Sequence, residues 1–173
     1  PNQAMVLSNI SLAYQQLGQL PQATAAIAKS LKLLSSKGQE PQRSQVLAQA
    51  LNTQGNLQLA LGQSEQALTT WQQAATAYTR VGDSGGSIQS QINQAQALQA
   101  LGLYRRALVT LESVNQTLRS TPDSLLKVAS LRSLGNALRV IGDLERSPQV
   151  LQQSLALAQN CNRLRILVLH SLV

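Results

Sequence analysis

The chain has 173 residues, of which 43% are hydrophobic, and it contains no Phe, one Trp and three Tyr, so Leu, Ala, Val and Ile must form any core. The net charge is +7 with 12% charged residues, and the single cysteine, Cys161, excludes an internal disulfide and a cysteine-based metal site. No apolar run reaches the roughly 18 residues that a membrane helix needs.

Nine helical segments are predicted from hydrophobic periodicity and from the Gly and Pro residues that interrupt it. They span residues 3–17, 20–36, 41–61, 64–82, 86–101, 104–119, 122–141, 144–160 and 163–173. Thr121, Pro122 and Asp123 give the strongest start signal, because a hydroxyl, an early proline and an acid suit a helix N-terminus. Pro148 predicts a late start or a local bend in the eighth segment.

A Leu-Gly or Ile-Gly pair recurs between the two helices of each of four units. The glycines are Gly18, Gly62, Gly102 and Gly142, which lie 44, 40 and 40 residues apart. The residues seven positions before them are small (Ser11, Gly55, Ala95 and Gly135), and those nine positions after them are large and apolar (Ile27, Trp71, Leu111 and Leu151). Because a two-helix unit cannot bury its own apolar face, this pattern predicts antiparallel hairpins that stack on one another.

The ninth segment predicts the first helix of a fifth unit that has no turn of its own. It is too apolar for a polar capping helix, so we expect the natural array to continue beyond it. We also expect the stretch from Ile166 to Val173 to offer a surface on which a homodimer forms.

The spacing of small residue, turn glycine, alanine and large apolar residue resembles the tetratricopeptide repeat. Residues 134–144 form the clearest copy, and residues 55–68 are nearly as good. The period exceeds the usual length of roughly 34 residues, so the units resemble a long variant of about 40 residues. Long Gln-rich arrays of this kind resemble those attached to caspase-like (CHAT) peptidase domains in bacterial proteins.

The resemblance implies an all-α fold: a right-handed superhelical α-solenoid of antiparallel helix pairs, with four repeats and the first helix of a fifth. It further implies one repeat domain over residues 1–173. The expected repeats are 3–38, 41–82, 86–120 and 122–161, followed by a partial repeat at 163–173.

Residues that support catalysis are scarce in this sequence. His170 is the single histidine and lies in an apolar segment, and the seven acids are scattered without a pair suited to acid–base work or metal binding. The glycine-rich segment 82–86 lacks the Lys-Ser/Thr ending of a phosphate loop. We therefore predict no catalytic residue, no cofactor and no metal.

In the resembled family, the first helices of the repeats line a concave groove. The corresponding face here consists of Asn9, Asn52, Asn56, Asn93, Gln96, Gln99, Arg132, Asn136 and Arg139. An asparagine amide both donates and accepts hydrogen bonds, so it can hold the backbone of a peptide, and an arginine can add a carboxylate contact. The alternative is an ordinary solvated face, which every amphipathic helix has.

Three functions follow from these observations. The leading one is a non-catalytic scaffold within a longer array, which binds a protein or peptide, either separate or part of the parent chain. The second is self-association through the C-terminal helix. The third, nucleic-acid binding by the basic C-terminal half, is disfavoured, because no Lys/Arg run exceeds Arg105-Arg106 and aromatic residues are few. No membrane partner is expected, and a cytoplasmic location is favoured.

Overall fold

The computed structural model describes the backbone of residues 1–35 and 41–170 and the side chains of residues 1–35 and 42–162. Within these residues the chain forms eight helices and no strand. They are α1 (Asn2–Gln16), α2 (Leu20–Leu34), α3 (Pro41–Ala60), α4 (Ser64–Arg80), α5 (Ser84–Ala100), α6 (Tyr104–Leu118), α7 (Leu125–Val140) and α8 (Arg146–His170). The predicted all-α helical-repeat fold is confirmed.

The described chain forms two compact units. Unit 1 spans Pro1–Leu101 and holds α1 to α5, and unit 2 spans Gly102–Val173 and holds α6 to α8. One continuous stack over residues 1–173 stays a prediction.

The recurring glycines end the first helices in a left-handed conformation. Gly18 has φ +72° and Gly62 has φ +76°, values that side chains with a Cβ rarely adopt. The N–H of Gly18 donates to the carbonyl of Gln15 at 3.0 Å, and the N–H of Gln19 donates to that of Tyr14 at 2.9 Å. This pair of bonds satisfies two carbonyls that the helix end leaves free, so the predicted turn forms as a Schellman motif.

The small residues predicted at the helix seam allow close approach of large ones. A Cβ built on Gly55 would lie 2.5 Å from the indole nitrogen of Trp71, and one on Gly135 would lie 2.6 Å from Cγ of Leu151. Trp71 is fully buried. The predicted small–large pairs therefore meet inside hairpins α3–α4 and α7–α8.

Serine hydroxyls bond across the first hairpin of unit 1. Ser11 Oγ donates to the carbonyl of Ala23 at 2.9 Å, and Ser30 Oγ donates to that of Ala4 at 2.7 Å. Because these hydroxyls are buried, each needs such a partner to offset its desolvation. The bonds thus tie α1 to α2 at two levels.

Helix α3 links the two hairpins of unit 1. Besides its partner α4, α3 contacts α1, α2 and α5, and α4 also packs on α5. One buried cluster spans α1 to α3 and consists of Ala4, Ala23, Ile27, Leu34, Val46, Ala50 and Leu57. The first helices α1, α3 and α5 are therefore consecutive neighbours, and we call their shared surface the first-helix layer.

In unit 2, α7 packs on both α6 and α8. The start of α7 differs from the prediction by three residues, because Ser124, and not Thr121, caps the helix. Ser124 Oγ accepts the N–H of Lys127 at 3.3 Å, whereas Thr121 Oγ1 donates to the carbonyl of Leu118 at the end of α6, at 2.8 Å. The predicted cap residue therefore closes the preceding helix.

Helix α8 begins late, as the position of Pro148 predicts. The carboxylate of Asp143 accepts the N–H of Arg146 at 3.0 Å, and Pro148 lies in the first turn, where its missing N–H breaks no helical bond.

The separate ninth helix is wrong for the described backbone, because α8 continues without a break to His170. The sequence between Ala158 and Arg163 contains Asn and Cys but no Gly or Pro, and such residues lower helix stability by only about 0.7 kcal/mol each relative to Ala. Residues 171–173, and the side chains from Arg163 onwards, lie outside the description, so the dimer surface from Ile166 to Val173 stays a prediction.

Candidate functional site

Two of the predicted groove residues bind each other. Asn93 Nδ2 donates to Oδ1 of Asn52 at 3.1 Å, and Gln89 Nε2 donates to Oδ1 of Asn93 at 3.0 Å. Asn93 is only 7% exposed. Its amide therefore joins α3 to α5 inside unit 1 and is not open to solvent, and a role for Asn93 in a peptide groove stays a prediction.

An amide also joins α1 to α3. Gln15 Nε2 lies 3.3 Å from the carbonyl oxygen of Thr53 and donates to it, and it lies at the same distance from Oγ of Ser11. From α4, Trp71 Nε1 donates to the carbonyl of Asn52 of α3 at 3.3 Å. Gln15 and Asn93 thus hold the first-helix layer in register through bonds between its own helices.

Three other predicted amides of unit 1 stay open. Asn9 and Gln96 are exposed and Asn56 is half-buried, and none of the three side chains bonds to another described residue. Asn56 and Gln96 each lie six residues before a turn glycine, so they occupy equivalent positions on α3 and α5. Gln99 is half-buried one turn further along α5.

Sequence reasoning missed two apolar residues beside Asn9. Met5 and Leu12 are each 39% exposed, and their spacing from Asn9 places all three on one face of α1. The sequence could have indicated this face, because the helical spacing of Met5 and Leu12 differs from that of the small residues that face the seam. We call Met5, Asn9, Leu12, Asn56 and Gln96 the first-helix face.

In unit 2, the remaining predicted residues lie on one side of α7. Arg132, Asn136 and Arg139 are exposed, at spacings of four and three residues. None of these side chains forms an ion pair or hydrogen bond with another residue in the described part of unit 2. This side of α7 is therefore a short cationic stripe.

Metal chemistry gains no support from the described side chains. Among them, no three His, Cys, Asp or Glu residues are grouped closely enough to hold an ion. Of the helices in the described ranges, none combines the length and the apolar character needed to cross a membrane.

Comparison with known families identifies the class of repeat. Residues 48–73 and 88–113 match the tetratricopeptide-repeat family model. Each match includes a turn glycine, Gly62 or Gly102, with parts of the helices on either side. Two segments of the chain therefore match tetratricopeptide repeats, as the small–large pattern predicts, whereas attachment to a caspase-like peptidase domain stays a prediction.

Solved structures share this fold at low sequence identity. The apo form of RapI matches with a TM-score of 0.80 and 11% identity, over 94% of this chain and 58% of RapI. Aspartyl phosphate phosphatase F from Bacillus subtilis matches with a TM-score of 0.77 and 13% identity, over 93% of this chain and 41% of the phosphatase. The chain thus spans less than two thirds of either protein.

A third structure has repeats of similar extent. The TPR-like repeats of a putative kinesin light chain from Podosopora anserina match with a TM-score of 0.58 and 17% identity, over 91% of this chain and 95% of that one. No curated protein matches this sequence. At these identities the likeness establishes the fold alone.

Proposed function

We propose that this chain is a non-catalytic protein-binding scaffold, and that the first-helix face of unit 1 holds an extended peptide. The observation that carries the proposal is the set of amides on Asn9, Asn56 and Gln96, which have no hydrogen-bond partner among the described residues. Met5 and Leu12 present apolar surface on the same face of α1 as Asn9.

This combination suits a peptide backbone with an occasional apolar side chain. Each amide can donate to a peptide carbonyl and accept from a peptide N–H, whatever side chains the peptide bears. A methionine adapts its shape to different apolar partners, so it supports contact without strict selection. We therefore expect broad selectivity for sequence and a requirement for an extended backbone.

The bonds within the first-helix layer support the proposal energetically. Gln15 and Asn93 already fix neighbouring helices through bonds at 3.3 and 3.1 Å, so little of the face has to become ordered when a ligand binds. The tetratricopeptide matches at residues 48–73 and 88–113 favour the same class of function. The ligand is a separate protein or another part of the parent chain.

The test starts from peptides selected on the whole chain from a random display library. We expect the double variant Asn56→Ala/Gln96→Ala to bind a selected peptide about tenfold more weakly, because two hydrogen bonds are lost. Fluorescence anisotropy of the labelled peptide measures the Kd. The matched control is Gln72→Ala/Gln73→Ala, which removes two exposed amides from α4.

Equal affinity in the two double variants contradicts the proposed site. Asn93→Ala serves a different purpose, because its loss breaks the bond to Asn52 and is expected to lower stability before it affects binding. A thermal melt by circular dichroism separates that structural effect from a lost ligand contact.

A further inference from the structure

A cavity of about 410 Å³ opens in unit 2 between α6, α7 and α8. Its lining residues are Asn115 and Arg119 of α6, Lys127, Leu131 and Leu134 of α7, and Arg146, Gln149, Val150 and Gln153 of α8. Helices α6 and α8 each pack on α7, and apolar lining residues of α7 and α8 form the floor. We call this cavity the cationic cleft.

Three cations line the cleft, and no acid is among its lining residues. Lys127 Nζ donates to the carbonyl of Thr121 at 3.1 Å and lies 3.6 Å from the carboxylate of Asp123. This ammonium group is therefore partly neutralised by an acid that does not line the cleft.

Arg146 is also compensated from outside the lining. Its guanidinium lies 2.8 Å from a carboxylate oxygen of Glu112 and 3.6 Å from one of Asp143. Arg119, by contrast, is exposed and has no ion pair with another described residue. Its charge is the one that is free to meet a ligand.

Neutral groups complete the site. Gln149 and Gln153 are exposed, lie four residues apart on one side of α8, and have no side-chain bond to another described residue. Opposite them, Asn115 Nδ2 is fixed by bonds to the carbonyls of Leu111 and Ser130 at 2.8 and 3.3 Å. The cleft thus has one fixed amide, on α6, and two free amides, on α8.

The floor of the cleft is apolar. Leu134 is buried, and Leu131 and Val150 are half-buried. A partner that places an aliphatic side chain on this floor gains burial free energy, which a purely ionic ligand does not. The floor and the unpaired arginine together therefore favour a ligand that has both an aliphatic side chain and a negative charge.

We propose that the cationic cleft binds an acidic segment of a partner protein, in which an aliphatic residue is flanked by Asp or Glu. The carboxylates meet Arg119 and the amides of Gln149 and Gln153, and the aliphatic side chain covers the floor. A nucleic acid fits less well, because no aromatic ring lines the cleft for its bases to stack on. The site is independent of the first-helix face of unit 1.

The probe is a fluorescein-labelled synthetic peptide in which Leu residues are flanked by Glu, titrated with the whole chain at low salt. We expect Arg119→Gln to raise its Kd about tenfold, since a charge-assisted hydrogen bond is lost. Arg105→Gln removes the same charge from an exposed arginine of unit 2 that does not line the cleft, and it is expected to leave the Kd nearly unchanged.

A second variant tests the two free amides on α8. Gln149→Glu/Gln153→Glu adds two acids to exposed positions of α8, so it is expected to keep the fold and to repel the peptide. A peptide with Gln in place of every Glu is expected to lose binding to the unaltered chain. Added salt is expected to raise the Kd of the acidic peptide, because the Debye length falls from about 10 Å at 0.1 M to about 3 Å at 1 M.

Three results overturn the proposal. The first is an equal Kd for Arg119→Gln and Arg105→Gln. The second is displacement of the acidic peptide by oligothymidylate at lower concentration than by the unlabelled peptide, which identifies a nucleic-acid surface. The third is that the Asn56→Ala/Gln96→Ala variant no longer binds the peptide while the Arg119→Gln variant still does. That result places the peptide on the first-helix face.

Discussion

Hairpin α3–α4 of unit 1 and hairpin α7–α8 of unit 2 put a glycine against a large side chain at the same repeat positions, yet they close the seam differently. In the first, Trp71 is fully buried and its indole N–H donates to the carbonyl of Asn52. In the second, Leu151 is only half-buried, and serine hydroxyls bond across the seam. The repeat thus fixes where two backbones approach, and the side chains that fill the gap are free to vary.

The hydroxyl bonds of α7–α8 follow the same positions as those of α1–α2. Ser154 Oγ donates to the carbonyl of Val128 at 3.0 Å, and Ser147 Oγ donates to that of Gly135 at 2.9 Å. In α1–α2 the second bond is reversed, since Ser11 on the first helix donates to Ala23 on the second. A seam position that requires a small residue therefore accepts a serine on either helix.

The largest expected loss of stability comes from removing Trp71, which fills the seam of hairpin α3–α4. Trp71→Ala is expected to lower the free energy of unfolding by about 3–5 kcal/mol, because a fully buried ring is replaced by a cavity. Leu151→Ala is expected to cost about 1–2 kcal/mol, since a half-buried leucine loses less burial. Urea unfolding followed by circular dichroism measures both, and equal losses contradict the comparison.

Much of this seam was predictable because it depends on local spacing. The glycine that ends a helix and the small–large pair around it are properties of one hairpin, so Gly55 and Trp71 could be paired from sequence alone. The helix boundaries were less secure, because Thr121 and Ser124 are both good cap residues, and the sequence does not show that Thr121 bonds back to α6 while Ser124 caps α7. The continuous α8 shows the same limit at Asn160 to Asn162.

The functional surfaces were predicted less well, because they depend on neighbouring helices. Asn52 and Asn93 lie 41 residues apart, and the sequence does not show that their amides meet. Arg119 and Gln149 come from two different helices, α6 and α8, so no local sequence motif predicts the cleft. The open amides Asn56 and Gln96 were predictable because each belongs to one helix face of one repeat.

The next largest effect is a pH dependence of the stability of unit 1, which comes from the buried Tyr78. Burial, with a smaller contribution from the nearby Asp83 carboxylate, raises the pKa of Tyr78 from 10.0 to about 12. The neutral phenol is therefore favoured by the folded state. Below pH 10 this contribution to stability is fully present, and it is lost as the pH rises towards 12, because the unfolded chain ionises first.

We expect the unaltered chain to lose about 1–3 kcal/mol more stability than Tyr78→Phe as the pH rises through this window. The measurement is urea unfolding of both proteins across the pH series. Other alkaline groups titrate in both proteins, so the difference between them isolates Tyr78. Parallel stability curves contradict the assignment.

An effect on stability of similar size is expected when the two seam glycines are compared directly. Alanine stabilises a helix by about 1 kcal/mol relative to glycine, but its Cβ must fit the seam. At Gly55 it meets a rigid, fully buried indole, so we expect Gly55→Ala to lower stability by about 1–3 kcal/mol. At Gly135 it meets Cγ and Cδ2 of Leu151 at 2.6 and 2.7 Å, but this half-buried side chain can shift towards solvent, so we expect a smaller loss of up to about 1 kcal/mol. Thermal melts of the two variants, with Gly85→Ala near the start of α5 as a control, measure the contrast.

The smallest expected effect on stability is a difference between two serines at equivalent repeat positions, one in each unit. Ser90 of α5 and Ser130 of α7 each lie twelve residues before a turn glycine, and both are fully buried. Ser90 Oγ donates to the carbonyl of Gly86 at 2.9 Å, whereas Ser130 Oγ has no hydrogen-bond partner among the described residues. Because a buried hydroxyl without a partner is costly, Ser130→Ala is expected to leave stability unchanged or to raise it by up to about 1 kcal/mol.

Ser90→Ala removes a bond that offsets the same desolvation, so we expect it to lower stability by about 0.5–1.5 kcal/mol relative to Ser130→Ala. The better helix propensity of alanine acts equally at both sites and cancels in the difference. Urea unfolding of both variants under one set of conditions gives that difference. If Ser130→Ala is the more harmful, then the hydroxyl of Ser130 contributes to the seam of unit 2 through a bond that the geometry does not show, and the two units are alike at this position.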